Sequence, residues 1–143
     1  MKLHLVTIGE PKLAYARSGW QEYLTRLQHY HTVRVSHLAD KHAYDADAIL
    51  RTAGQAYIVT LVIDGQELSS PALAAFLEKR AQEGREVCCI IGGPEGLPAA
   101  VVARAAYRWS FSPLTFPHDL AMVILAEALY RASTIASGHP YHK

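Results

Sequence analysis

The strongest constraint on the fold is the run Val87-Cys88-Cys89-Ile90-Ile91, which stops at Gly92-Gly93-Pro94-Glu95-Gly96. Apolar residues rich in β-branched side chains predict a buried strand. The glycines and proline directly after it predict a loop with exposed backbone. In open α/β sheets, ligands bind beyond the carboxyl ends of the strands, so this loop is the first place to look for a site. It is not a P-loop, since no Gly-Lys-Ser/Thr follows, and it lacks the G-x-G-x-x-G of dinucleotide folds. On composition alone, a tight turn needing glycine backbone angles is as good a reading as a ligand loop.

Around this strand the periodicity alternates. Lys2 to Ile8 and Thr32 to Leu38 read as strands, and Tyr57 to Ile63 as a buried strand of parallel type, ended by Asp64-Gly65. Tyr107 to Phe111 reads as a fifth strand. Pro11 opens a helix whose Leu13, Ala16, Trp20, Tyr23, Leu24 and Leu27 form one apolar stripe. Residues 39 to 47 read as a mobile polar loop leading into a short helix, Ala46 to Ala53, with Gly54 as its C-cap. Ser69 or Ser70 caps the next helix, with Pro71 in its first turn, and it runs to about Gln82. Pro98 starts another, to about Ala105, and a last long helix runs from His118 to about Ser137. Strands and helices in strict alternation predict a parallel α/β sheet covered on both faces. No linker, repeat or low-complexity stretch interrupts residues 1 to 143, which predicts a single domain.

The chain has 143 residues and a formal net charge of +1, unlike a strongly basic nucleic-acid binder. A polyanion contact must come from a local patch or from patches combined across subunits. The adjacent Cys88 and Cys89 point to opposite faces of their strand and read as small buried hydrophobes, not a disulfide. No uninterrupted apolar stretch approaches twenty residues and the N-terminus does not read as a signal peptide, so a cytoplasmic protein without a membrane span is expected. The final helix is unusual: Leu120 to Ala126 carries no polar side chain. A helix apolar all round must be buried all round. In so small a domain this predicts a homodimer through that helix.

Ile91-Gly92-Gly93-Pro94-Glu95-Gly96 after a buried strand resembles the SPOUT methyltransferases, whose C-terminal half is a trefoil knot. Further segments narrow the likeness: Trp109 to Ser112, Leu114-Thr115-Phe116-Pro117-His118, Ala126-Glu127 with Leu129 to Ala132, and His139-Pro140-Tyr141-His142-Lys143. Together, over essentially the whole chain, they resemble the family called ribosomal RNA large subunit methyltransferase H. The resemblance implies S-adenosyl-L-methionine as cofactor and N3 of a pseudouridine in helix 69 of 23S rRNA, on the assembled ribosome, as target. It also implies a parallel α/β knot working as a homodimer.

Carried over by that resemblance, the cofactor-binding positions are Leu61, Gly93, Ser112, Pro113, Leu114, Thr115, Phe116 and Pro117. Glycine suits close backbone approach, prolines hold a loop rigid, and apolar Leu61, Leu114 and Phe116 suit an adenine slot. Candidates for handling the N3 proton or the charge it leaves are His118, Arg131, Tyr141 and His142, with Lys143 beside them. His142 is the preferred base or base-orienter, and Arg131 the preferred charge stabiliser or RNA contact. Simpler readings stand beside these. Glu127 and Arg131 are an ordinary i,i+4 pair, His118 a helix cap, and the last residues a plain chain end. His139 and His142 lack a third ligand, so no metal site is expected. Two positions depart from the family pattern: Val62 stands where an aspartate is common, with Asp64 as a partial substitute, and Met122 where an arginine is common. A SPOUT enzyme acting on another RNA such as tRNA, and a non-catalytic ribosome-binding relative, are the alternatives.

Overall fold

The computed structural model describes residues 1–143 throughout. Its strands are β1 (Lys2–Ile8), β2 (Thr32–Leu38), β3 (Tyr57–Glu67), β4 (Val87–Ile91) and β5 (Tyr107–Ser110). They form one parallel sheet in the order β2-β1-β4-β3-β5. The helices are α1 (Ala14–Leu27), α2 (Ala46–Ala53), α3 (Ser70–Gln82), α4 (Ala99–Arg104) and α5 (His118–Ser137).

The uniformly apolar strand is central because only a central strand needs both faces apolar. All of β4 is buried between β1 and β3. Cys89 faces the larger core with Leu3, Leu5 and Val59, under α1, α3 and α5. Cys88 faces the smaller core with Val6, Ile8 and Ile58, under α2 and α4. Both cysteines are free, and burial pushes the Cys89 thiol up to about 12.

Three boundaries differ from the sequence reading, each for a tertiary reason. Helix α1 begins at Ala14 and not at Pro11, because the Lys12 and Leu13 amides donate to Asp119 of α5 at 2.8 and 2.7 Å. Strand β3 runs on to Glu67: Leu61 and Gln66 both pair with Trp109, so residues 62 to 65 swing out as a bulge. At its base, a Cβ on Gly65 would lie 2.8 Å from the Arg108 carbonyl. Strand β5 ends at Ser110, since Phe111 turns edge-on to Trp109 with 4.9 Å between ring centroids. Residues 39 to 47 contain a 3-10 turn, Asp40–His42, and bury Ala43, while Asp45 caps α2 by accepting from the Ala48 amide.

Helix α5 is long and apolar enough, by length and composition alone, to cross a membrane. Here it lies against α1 and α3 with Met122, Leu125 and Leu129 fully buried, so its apolar character serves the core. Met122 is wholly enclosed and makes no outward contact. Leu120 and Ile124 face outward, half-buried and outside the core cluster.

Candidate functional site

The carboxyl ends of β3, β4 and β5 open into a cleft of about 600 Å³, a size suited to a small cofactor. Three loops wall it: the β3 bulge, the loop 92–97 after β4, and the loop 111–117 between β5 and α5. The central loop closes on itself, with the Gly96 amide donating to the Gly93 carbonyl at 3.0 Å. Gly96 sits at φ 85°, where other residues are strained. A Cβ on Gly92 would lie 2.7 Å from the Gly96 carbonyl carbon. Gly93 has neither constraint: its Cβ would meet only Ala43 and Ile8, at 3.4 Å or more. It lines the cleft with backbone alone.

The 111–117 loop is pinned from within. The Leu114 amide donates to Ser112 Oγ at 3.0 Å, and Ser110 Oγ donates to the Ser112 carbonyl at 3.0 Å. Leu61, Gly93, Ser112, Leu114, Thr115, Phe116, Pro117 and His118 all line the cleft. Pro113 belongs to the same loop but does not face the cleft. Val62, Ile63, Ile91, Trp109 and Ala121 also line it. Asp64 does not, so it is no substitute for Val62: it lies with Gly65, Gln66 and Arg108 in a separate depression. The bulge therefore gives the cleft an apolar wall.

At the start of α5, His118 does not cap the helix, whose N-cap position is Pro117 with no side-chain bond. Its Nδ1 lies 3.7 Å from Asp119 Oδ1, and its Nε2 is buried on the cleft wall without a partner. Burial opposes ionisation of Asp119, but the Leu13 and Lys12 amides, with His118, outweigh it and hold the carboxyl below its usual range. A buried ring nitrogen without a partner costs free energy.

Arg131, Tyr141 and His142 are elsewhere. Arg131 lies thirteen residues beyond His118, about 20 Å along α5. Glu127 Oε1 is the hub of this second cluster. It accepts from Arg131 Nε and Nη2 at 2.8 and 2.7 Å and from the Tyr141 hydroxyl at 3.2 Å. The Tyr23 hydroxyl of α1 lies 3.5 Å from that of Tyr141, and the Tyr141 ring packs edge-on to Tyr130. Arg131 Nη1 reaches His142 Nδ1 at 3.2 Å, and its guanidinium lies 4.8 Å from the centre of the Tyr141 ring. Burial, Tyr23 and Glu127 push the Tyr141 phenol up, so it stays protonated. The chain end is thus folded onto α5 and α1. Tyr23 carries no signal of this in sequence, because only the fold brings α1 to the C-terminus.

Glu95 accepts from the Tyr44 hydroxyl at 3.0 Å, tying the cleft loop to the segment before α2. No group of three or more metal-ligating side chains is present.

The family described as Predicted SPOUT methyltransferase matches residues 1–142, which sets the class to which this sheet and cleft belong. Among curated proteins, the Deinococcus radiodurans protein named Ribosomal RNA large subunit methyltransferase H is 49% identical, covering 100% of this chain and 99% of that protein. Proteins of the same name from Deinococcus deserti and Stutzerimonas stutzeri are 48% and 39% identical over the full length of both chains. A solved structure, a probable methylase family protein from Haemophilus influenzae Rd KW20, shares the fold with a TM-score of 0.56. It has 11% identity, with 99% of this chain and 70% of that one covered. The chain belongs to the ribosomal RNA large subunit methyltransferase H family of SPOUT methyltransferases.

Proposed function

We propose that the chain is a homodimeric, knotted methyltransferase that uses S-adenosyl-L-methionine to methylate N3 of a pseudouridine in helix 69 of 23S rRNA on the assembled ribosome. That target would place it in the cytoplasm. The observation that carries the reading is the separation of two half-sites on one chain. A cleft fit for a cofactor lies at one end of α5, and a cluster of proton- and charge-handling groups lies about 20 Å away at the other. A two-fold dimer packed through the Leu120 and Ile124 face would bring each cluster to the partner's cleft.

The residues fit the cofactor on structural grounds. Gly93 lines the cleft with backbone alone, Leu61, Leu114 and Phe116 offer apolar surface, and His118 Nε2 is a buried donor or acceptor without a partner. When bound, S-adenosyl-L-methionine supplies an electrophilic methyl on a sulfonium, already an excellent leaving group. The protein's task is then position and charge. The pinned 111–117 loop and the self-closed 92–97 loop provide rigid walls. Arg131 supplies a fixed positive charge, held in place by Glu127, toward an imide that must lose its N3 proton.

The test is methyl transfer to ribosomes from a strain lacking this activity, with the modified nucleotide located by mass mapping of 23S rRNA. One methyl on the helix 69 pseudouridine is expected, with calorimetric binding of S-adenosyl-L-methionine. Cofactor binding with no transfer to ribosomes but transfer to tRNA would move the substrate. No binding at millimolar cofactor would leave a non-catalytic ribosome-binding protein.

A further inference from the structure

The hydrogen bonding around His142 determines which way it can handle a proton. A guanidinium only donates, so in the 3.2 Å contact with Arg131 Nη1 the His142 Nδ1 must accept. The ring is then neutral, and its proton sits on Nε2. That nitrogen has no partner within the chain and so presents an N–H outward. Arg131 is itself locked by two bonds to Glu127, which also takes the Tyr141 hydroxyl. Moving the His142 proton to Nδ1 would set two donors against each other and break the bond to Arg131.

The geometry points to His142 as a neutral hydrogen-bond donor to a carbonyl of the target imide, stabilising its anion, and not as the base that removes the N3 proton. This rests on the methyl-transfer reading above. The N3 proton passes to water and the imide charge spreads onto its flanking carbonyl oxygens. One oxygen is met by His142 Nε2–H, with Arg131 supplying charge behind it. The N3 electron pair then forms the bond to methyl carbon as the carbon–sulfur bond breaks, its electrons remaining on sulfur. His142 contacts Arg131, which Glu127 holds; Glu127 also takes the hydroxyl of Tyr141, the residue before His142, and that hydroxyl lies 3.5 Å from Tyr23 of α1. Arg131 holds the near side of the ring through its Nδ1.

Two measurements on the full-length protein test this. Long-range proton–nitrogen NMR of the His142 ring at neutral pH should show the Nε2–H tautomer. Its loss is expected in Arg131→Gln. A Nδ1–H tautomer in the wild type overturns the inference without any assay of activity. In turnover on ribosomes, His142→Gln keeps a donor but no basic nitrogen and should remain within about tenfold of wild type. His142→Ala should lose on the order of 100-fold in kcat with little change in KM. The wild-type and His142→Gln rates should both keep climbing through about pH 8, beyond the ordinary histidine range. Equal loss in Gln and Ala, or a wild-type plateau near neutrality absent from Gln, would make His142 the base. If the tautomer is Nε2–H but wild-type protein transfers no methyl to rRNA, the functional reading falls, and with it any use of the donor in catalysis.

Discussion

Gly92, Gly93 and Gly96 do three different jobs in one short loop. Gly96 supplies a left-handed backbone, and Gly92 makes room for the chain folding back on itself. Gly93 does neither and lines the cleft with backbone alone. Gly92→Ala should therefore be a folding lesion of about 1–3 kcal/mol, seen as a lower denaturation midpoint. Gly93→Ala should melt within about 0.5 kcal/mol of wild type. A Cβ there would point at Ala43 and Ile8, which do not line the cleft, so Gly93→Ala should bind S-adenosyl-L-methionine within about threefold of wild type in calorimetry. A tenfold loss would show that the cofactor reaches the Cβ side of this glycine. The sequence marks the loop plainly, yet the division of labour among its glycines depends on which backbone atoms approach, and no residue pattern encodes that. Asp64 makes the same point: two residues from Val62 in sequence, it falls on the far side of a bulge that a linear reading does not contain.

Between elements, side chains placed on one helix terminate or hold another. Asp119 of α5 caps the start of α1 across more than a hundred residues of chain. Asp119→Ala should cost about 2 kcal/mol in urea unfolding, the scale of hydrogen bonds to a buried charge. Its folded carboxyl is held below the ordinary range. Its stabilisation is therefore complete above the unfolded value near 3.9 and lost as pH falls through the folded value. Histidine acts in a higher window. His31, between α1 and β2, donates from Nε2 to Ser133 of α5 at 2.8 Å, and its Nδ1 faces the Met1 ammonium. Burial, then the ammonium charge, lowers it from 6.5 to about 4. The unfolded chain binds that proton first, so stability is full above about 6.5 and declines from there toward 4. Melting temperature should drop between pH 7 and pH 5, and His31→Gln should show a shallower drop. An unchanged slope would show that His31 is not the group responsible. The alternation of strands and helices was legible from apolar periodicity alone. The start of α1 and the extension of β3 were not, because a partner distant in sequence sets each.

For the molecule as a whole, the proposed dimer would make a partner subunit part of the chemistry, because the cleft and the Arg131 cluster lie at opposite ends of α5. Sedimentation should give twice the 15.8 kDa chain mass. Ile124→Glu, which puts a charge on the outward apolar face, should yield a folded monomer without turnover. Deleting residues 141 to 143 should abolish turnover while sparing the dimer and cofactor binding. Mixed in equal amounts with Leu61→Arg protein, whose cleft is blocked, the truncated chain should regain about a quarter of wild-type activity, because each heterodimer then holds one intact cleft facing one intact tail. No recovery would place both half-sites on one chain. The family likeness named the cleft residues and the tail together, and the cleft residues do gather, apart from Pro113. By itself the sequence determined the class of fold, the central place of β4 and the loop beyond it, because burial on two faces leaves a local record in side-chain type. Only the tertiary structure decided that His118 and the Arg131 to which His142 is bound stand about 20 Å apart along α5 and that Glu127 joins Tyr141 to Arg131. It alone brought the Arg131 guanidinium to within 3.2 Å of His142 Nδ1. Those are properties of distance and hydrogen-bond direction, and they arise only when remote segments are packed together.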